Sequence, residues 1–128
     1  GDANSNASNL GNNIVAITTN TNATNTLVCR TARANAHTFS YTSFTYEPMK
    51  RYFVGFYTDR YWTNVVFYAG TNFSTMISTP IATNTANIPG AAANLYPAVR
   101  SQRVVTSSGA VLHTNYVGSY NLWRRYYD

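Results

Sequence analysis

Short apolar and aromatic runs bounded by polar turn signals recur along this chain, and no stretch sustains a helical period. The densest block runs from Phe39 to Ala69 (FSYTSFTYEPMKRYFVGFYTDRYWTNVVFYA) and holds most of the aromatic residues. It predicts three successive β-strands, because aromatic and β-branched side chains fit a pleated surface better than a helix. In Arg51 to Thr58 one face carries Tyr52, Val54 and Phe56 and the other Phe53, Gly55 and Tyr57. Both faces are apolar, so this strand is expected to be central, with cover on both sides. Tyr61 to Ala69 is expected to return beside it after a tight connection at Thr58-Asp59-Arg60. Upstream, the apolar parity flips between Tyr41 and Phe44, which predicts a bulge near Thr42-Ser43. Glu47-Pro48 ends that strand.

Further strands are expected at Asn13 to Thr19, Thr26 to Thr31, Phe73 to Ser78, Val99 to Thr106, Ala110 to Val117 and Tyr120 to Tyr127. Arg33 to His37 and Pro80 to Gly90 read as loops, and Ser107-Ser108-Gly109 as a hairpin turn. That makes about nine short strands with turn signals about every 8–12 residues, the spacing of an all-β sandwich or barrel. No internal repeat points to a propeller or solenoid. The expected architecture is an antiparallel β-sandwich, jelly-roll-like, of eight or nine short strands over residues 13–128. Residues 1–12 (GDANSNASNLGN) are expected to form a flexible Asn/Ser-rich arm, with too few apolar side chains to offset ordering.

Composition sharpens this picture. Only 10% of the 128 residues are charged, against roughly 25% in ordinary soluble domains. Asn, Thr and Ser make the polar surface instead, which suits a chain that packs against copies of itself or sits outside the cell. The formal net charge of +5 reflects few acids rather than a dense basic run. Gathered on one face, the nine Lys and Arg residues would attract nucleic acid or acidic glycans; scattered, they would simply be solvated. Cys29 stands alone, so no intramolecular disulfide forms, and its context Leu27-Val28-Cys29 is that of a small buried hydrophobe. No apolar run approaches the roughly 18 residues of a membrane helix. The chain begins at Gly1 and shows no signal peptide, as expected after removal of a leader or of a cleavage product.

Chemistry-bearing motifs are sparse. Asn6, Asn22 and Asn72 stand in N-glycosylation acceptor patterns, which recur by chance in so Asn- and Thr-rich a chain. Arg51-Tyr52, Arg60-Tyr61-Trp62 and the terminal run Trp123, Arg124, Arg125, Tyr126 and Tyr127 interleave guanidinium and aromatic groups. Such sets stack bases, stack sugars or anchor interfaces, or else place aromatics in the core with arginines snorkelling at strand ends. His37, His113 and Lys50 have the residue types of an acid–base pair with a phosphate-stabilising cation, although lone histidines are more often structural. The acids are Asp2, Glu47, Asp59 and Asp128 alone, too sparse for paired-carboxylate chemistry. There is no metal-ligand spacing, nucleophile elbow, P-loop or dinucleotide fingerprint, so no catalytic residue, metal or cofactor is expected.

Through YFVGF and TNVVFYA, Arg51 to Phe73 resembles a hairpin in Shiga-type ribosome-inactivating chains, over about a fifth of the sequence. That family's catalytic Glu and Arg lie on a helix, whereas Glu47, the only Glu here, ends a strand. The resemblance implies shared hairpin chemistry and no activity.

The leading expectation is a non-enzymatic, self-assembling structural subunit, such as a small virion coat (capsid) protein or an extracellular surface-filament protein. It would be a homo-oligomer located in a virion or outside the cell, without a membrane span. Its interface or ligand-stacking candidates are Trp62, Trp123, Arg124, Arg125, Tyr126 and Tyr127. The first alternative is a carbohydrate-binding, lectin-like module stacking Trp62 or Trp123 on glycan rings. The second is an RNA-binding or RNA-cleaving domain that uses the Arg–Tyr pairs.

Overall fold

The computed structural model describes residues 12–20, 22–90, 93 and 95, and backbone alone at 105–106 and 109–110. The chain divides into two units, Gly1–Tyr96 and Pro97–Asp128. The fold is all-β. In the first unit β1 (Ile14–Thr19), β2 (Thr26–Arg33) and β3 (Ala36–Thr45) form one antiparallel sheet in that order. A second antiparallel sheet has the order β4 (Phe53–Thr58), β5 (Val65–Gly70) and β6 (Ala82–Asn84), with a four-residue helix α1 (Phe73–Met76) between β5 and β6. In the second unit β7 (Val105–Thr106) and β8 (Gly109–Ala110) pair antiparallel, as the Ser107-Ser108-Gly109 turn signal predicts.

The first sheet follows the sequence pattern closely. β2 joins β3 by a two-residue turn, Ala34 and Asn35 at φ +48° and +70°, so the expected loop from Arg33 to His37 shrinks to a tight hairpin closed by Arg33 opposite Ala36. The pairing then shifts register. β2 advances from Val28 to Thr26 while β3 advances from Tyr41 to Thr45. The extra residues fall on β3 around Thr42-Ser43, where the parity flip places the bulge, and Thr42 Oγ1 donates to the Leu27 carbonyl there (2.8 Å).

The core lies between facing residues of the two sheets. Cys29 of β2, Val65 and Phe67 of β5 and Ile88 form a buried cluster, with Val15, Ile17 and Ile81 packed against it. Beside it Asn84, itself buried, ties β6 to the first sheet. Its Nδ2 donates to Thr31 Oγ1 (3.2 Å) and to the Thr38 carbonyl (3.5 Å), and its Oδ1 accepts from Ser40 Oγ. Thr31 Oγ1 in turn donates to the Ala86 carbonyl (2.9 Å). A buried amide costs free energy unless its donors and acceptor are met, and these contacts meet them.

Four expectations are corrected. The strand predicted from Arg51 to Thr58 is not central among the described residues: β4 begins at Phe53 and has β5 on one side only, while β6 takes the other side of β5. The strand predicted from Tyr61 starts only at Val65. Asp59 diverts the preceding residues into a turn, its carboxylate accepting from Thr63 N (2.7 Å) and Thr63 Oγ1 and its carbonyl from Trp62 N (3.1 Å). Phe73 to Met76 is helical rather than extended, because Asn72 Oδ1 caps Ser74 N (3.0 Å) and Thr75 N (3.4 Å). That helix sits tightly on Gly70, where a Cβ would come within 2.9 Å of Met76 Cβ. Finally, the expected loop from Pro80 to Gly90 contains β6. The predicted arm, apart from Asn12, and the predicted strand from Tyr120 to Tyr127 lie outside the described residues.

Candidate functional site

The unusual feature of the fold is β4. Its sequence FVGFYT was read as a strand needing cover on both faces, and in the structure neither face has it. Val54 is 56% exposed and Phe56 45%, on the face shared with buried Val65, Phe67 and Ala69. Phe53 and Tyr57, on the opposite face, are 44% and 52% exposed. Exposed Phe73 of α1 extends that second face, its ring edge-on to Phe53 at 6.2 Å and 71°. Single exposed apolar residues are ordinary, whereas a contiguous set of aromatics marks an interaction surface.

A groove of about 500 Å³ opens beside the second sheet, lined among others by Phe44, Glu47, Lys50, Tyr52 and Met76. Phe44 and Tyr52 meet edge to face (5.8 Å, 85°), and Tyr52 Oη accepts from the Glu47 backbone N–H (2.9 Å). Lys50 Nζ pairs with Glu47 Oε1 at 3.3 Å and lies 6.0 Å from the Tyr52 ring centroid. Both charged side chains are well exposed, so this ion pair contributes little to stability. The groove offers one aromatic wall, a carboxylate, an ammonium and several threonine hydroxyls.

A third cluster lies on the face of the first sheet opposite Cys29. His37, Phe39 and Tyr41 follow one another along β3 with ring centroids 6.0 and 6.5 Å apart. The Arg30 guanidinium lies 5.1 Å from the Phe39 centroid and donates through Nη2 to His37 Nδ1 at 2.9 Å. Burial lowers the Arg30 pKa from its usual value. His37 is therefore built into a packed Arg–His–Phe set, and its proposed acid–base partner His113 lies outside the described residues.

The remaining sequence candidates divide clearly. Trp62, in the left-handed region at φ +55°, is half-buried and packs against the Cys29–Phe67 core cluster. Arg60 stacks on exposed Tyr61 at 4.9 Å. Asn22 is exposed, and Asn72 is exposed and spends its Oδ1 as the α1 cap. Asn6, Trp123, Arg124, Arg125, Tyr126 and Tyr127 lie outside the described residues. Cys29 is fully buried and desolvation pushes its thiol up to about 12. Among the described residues, no group of three or more His, Cys, Asp or Glu is placed to hold a metal ion. No helix among them is long and apolar enough to cross a membrane.

Sequence reasoning placed β4 in the interior and so did not offer it as a site. The signal was present as apolarity on both faces of one short strand. The chain matches no family model, no curated protein and no solved structure.

Proposed function

We propose that this chain is a non-enzymatic, self-assembling structural subunit, of the kind that builds a small virion coat or an extracellular filament. The observation that carries this reading is β4, an edge strand among the described residues, whose Val54, Phe56, Phe53 and Tyr57 are each at least two-fifths exposed. Covering the exposed half of such side chains contributes on the order of 1 kcal/mol each, an advantage that association supplies. The low charge and Asn/Thr-rich surface favour the same reading, since they leave little like-charge repulsion between copies. In this account the two sheets, each a meander of three consecutive strands, are halves of an antiparallel sandwich, and β4 is the rim that a neighbour completes. The native mass of the purified chain from light scattering across protein and salt concentration tests it. Defined multimers are expected; a strictly monomeric species of 14.2 kDa throughout would sink the proposal.

A second reading has its own observation, the groove beside Tyr52. An aromatic wall next to a carboxylate, an ammonium and hydroxyls is the chemistry that holds a sugar ring. A glycan array would show saturable binding that Tyr52→Ala abolishes; no binding by the native chain removes this reading.

A further inference from the structure

Strand edges that bind nothing are normally blunted by charge, proline or a bulge. β4 carries none of these within FVGFYT. Among the described residues no strand flanks its outer side, and no backbone hydrogen bond leaves it other than to β5. Charges stand only beyond its ends, Lys50 and Arg51 before and Asp59 and Arg60 after. Gly55 occupies mid-strand, where glycine is less favourable than alanine. A Cβ there would meet nothing within 4 Å, so no contact inside the chain requires glycine.

We propose that β4 pairs antiparallel with β4 of a second copy across a twofold axis through Gly55, joining the two β4–β5–β6 sheets into one. The proposal rests on the self-assembly reading and names its interface. Opposed side chains in an antiparallel pair share a face, so odd positions must meet odd positions; a one-residue slip sets core-facing residues against the other face. Of the registers that obey this, the one centred on Gly55 sets Arg51 opposite Asp59 of the second copy, and symmetry makes this opposite-charge pair twice. It also sets Phe53 opposite Tyr57 and Val54 opposite Phe56, both exposed pairs now mutually covered. Centring on Val54 or Phe56 loses the charge pairs and leaves Arg51 or Asp59 opposite an aromatic ring. All four charges lie past the strand ends: Arg51 and Asp59 meet first, and Lys50 and Arg60 one residue further out, where Lys50 is paired with Glu47 and Arg60 stacks on Tyr61. At the axis, the aromatic pairs flank the two glycines and close over them, as aromatic side chains do beside glycines in sheets.

Residue 55 is thus the position that faces its own counterpart. Opposed Cα atoms of an antiparallel pair are about 4.5–5.5 Å apart, within the roughly 4.4–6.8 Å that a disulfide spans. Gly55→Cys in mild oxidant should give a covalent dimer on a non-reducing denaturing gel, with buried Cys29 unreactive. Tyr57→Cys should not, since it faces residue 53 and lies about four residues, roughly 13 Å, from its counterpart. As a second variant, Tyr57→Lys places a charge on the edge and should weaken self-association at least tenfold, about 1.4 kcal/mol, with the β circular dichroism signal unchanged. If the chain associates but cross-links at neither position, or equally at both, the pairing is wrong while self-assembly stands. Unchanged association of Tyr57→Lys also refutes the pairing. A native chain that is monomeric at every concentration overturns both proposals.

Discussion

Phe56 and Phe67 stand directly opposite each other in the β4–β5 ladder, ring centroids 6.4 Å apart, yet Phe67 is 0% exposed and Phe56 45%. Phe67 lies in the core with Cys29, Val65 and Ile88. Phe56 lies one strand further out, on the outermost strand of that sheet among the described residues. Truncating the two should therefore separate folding from association. Phe67→Ala should cost about 3–5 kcal/mol of stability in urea titration. Phe56→Ser should cost the dilute monomer far less, and weaken self-association by about 2 kcal/mol or more as an interface anchor. Equal losses of stability would place Phe56 in the core and remove it from the interface.

Asn84 holds β6 to the first sheet through three hydrogen bonds to Thr31, Thr38 and Ser40. Asn84→Leu leaves the half-buried Ser40 hydroxyl and Thr38 carbonyl without this partner, while Thr31 keeps its bond to Ala86, and the loss costs about 1–3 kcal/mol. Chemical denaturation should show that loss. A neutral or stabilising effect would mean that water or rearrangement satisfies those groups.

Much of the first sheet was legible in the sequence, and the reasons are local. Short apolar runs between polar turns marked β1 and β2, and the parity flip between Tyr41 and Phe44 marked the bulge, because each depends only on neighbouring side chains. The failures share a different cause. Phe73 to Ser78 was read as a short strand, but its apolar positions Phe73, Met76 and Ile77 have helical spacing, and the Asn72 cap and the close approach of Met76 to Gly70 go with the helix. Tyr61 and Trp62 have strand propensity, but Asp59 captures Thr63 and turns the chain first. β4 is the most instructive case. Apolarity on both faces says that a strand seeks cover, and says nothing of where the cover comes from. Trp62 was a stacking candidate by residue type, and only the packing shows it against the core.

The Cys29 thiol gives an alkaline test. Burial raises it from 9.0 to about 12, so the folded chain keeps a proton that the unfolded chain releases. Its contribution is fully present below pH 9 and is lost as pH rises toward 12. Cys29→Ala should flatten the fall in stability over that window, and the native thiol should resist alkylating reagents at neutral pH. Rapid native-state alkylation would contradict the burial.

Asp59 gives the acid counterpart. Hydrogen bonds from the Thr63 side chain and backbone hold its carboxylate below the usual 3.8. The turn is therefore stabilised above that value, and the contribution is lost as pH falls through the lowered folded value. Trp62 donates its backbone N–H to the Asp59 carbonyl (3.1 Å) and reports the turn. In a Trp123→Phe background, its fluorescence should change at acid pH, and Asp59→Ala should abolish that transition. A transition that persists in Asp59→Ala belongs to another group.

The central claim is that the uncovered faces of β4 are covered by another copy of the chain. Sedimentation equilibrium from micromolar concentration upward tests it most directly, with the native chain and Phe56→Ser run side by side. The account predicts a native mass that climbs above 14.2 kDa with concentration, and a Phe56→Ser mass that stays lower at every concentration. A native chain fixed at 14.2 kDa throughout, indistinguishable from Phe56→Ser, would contradict it.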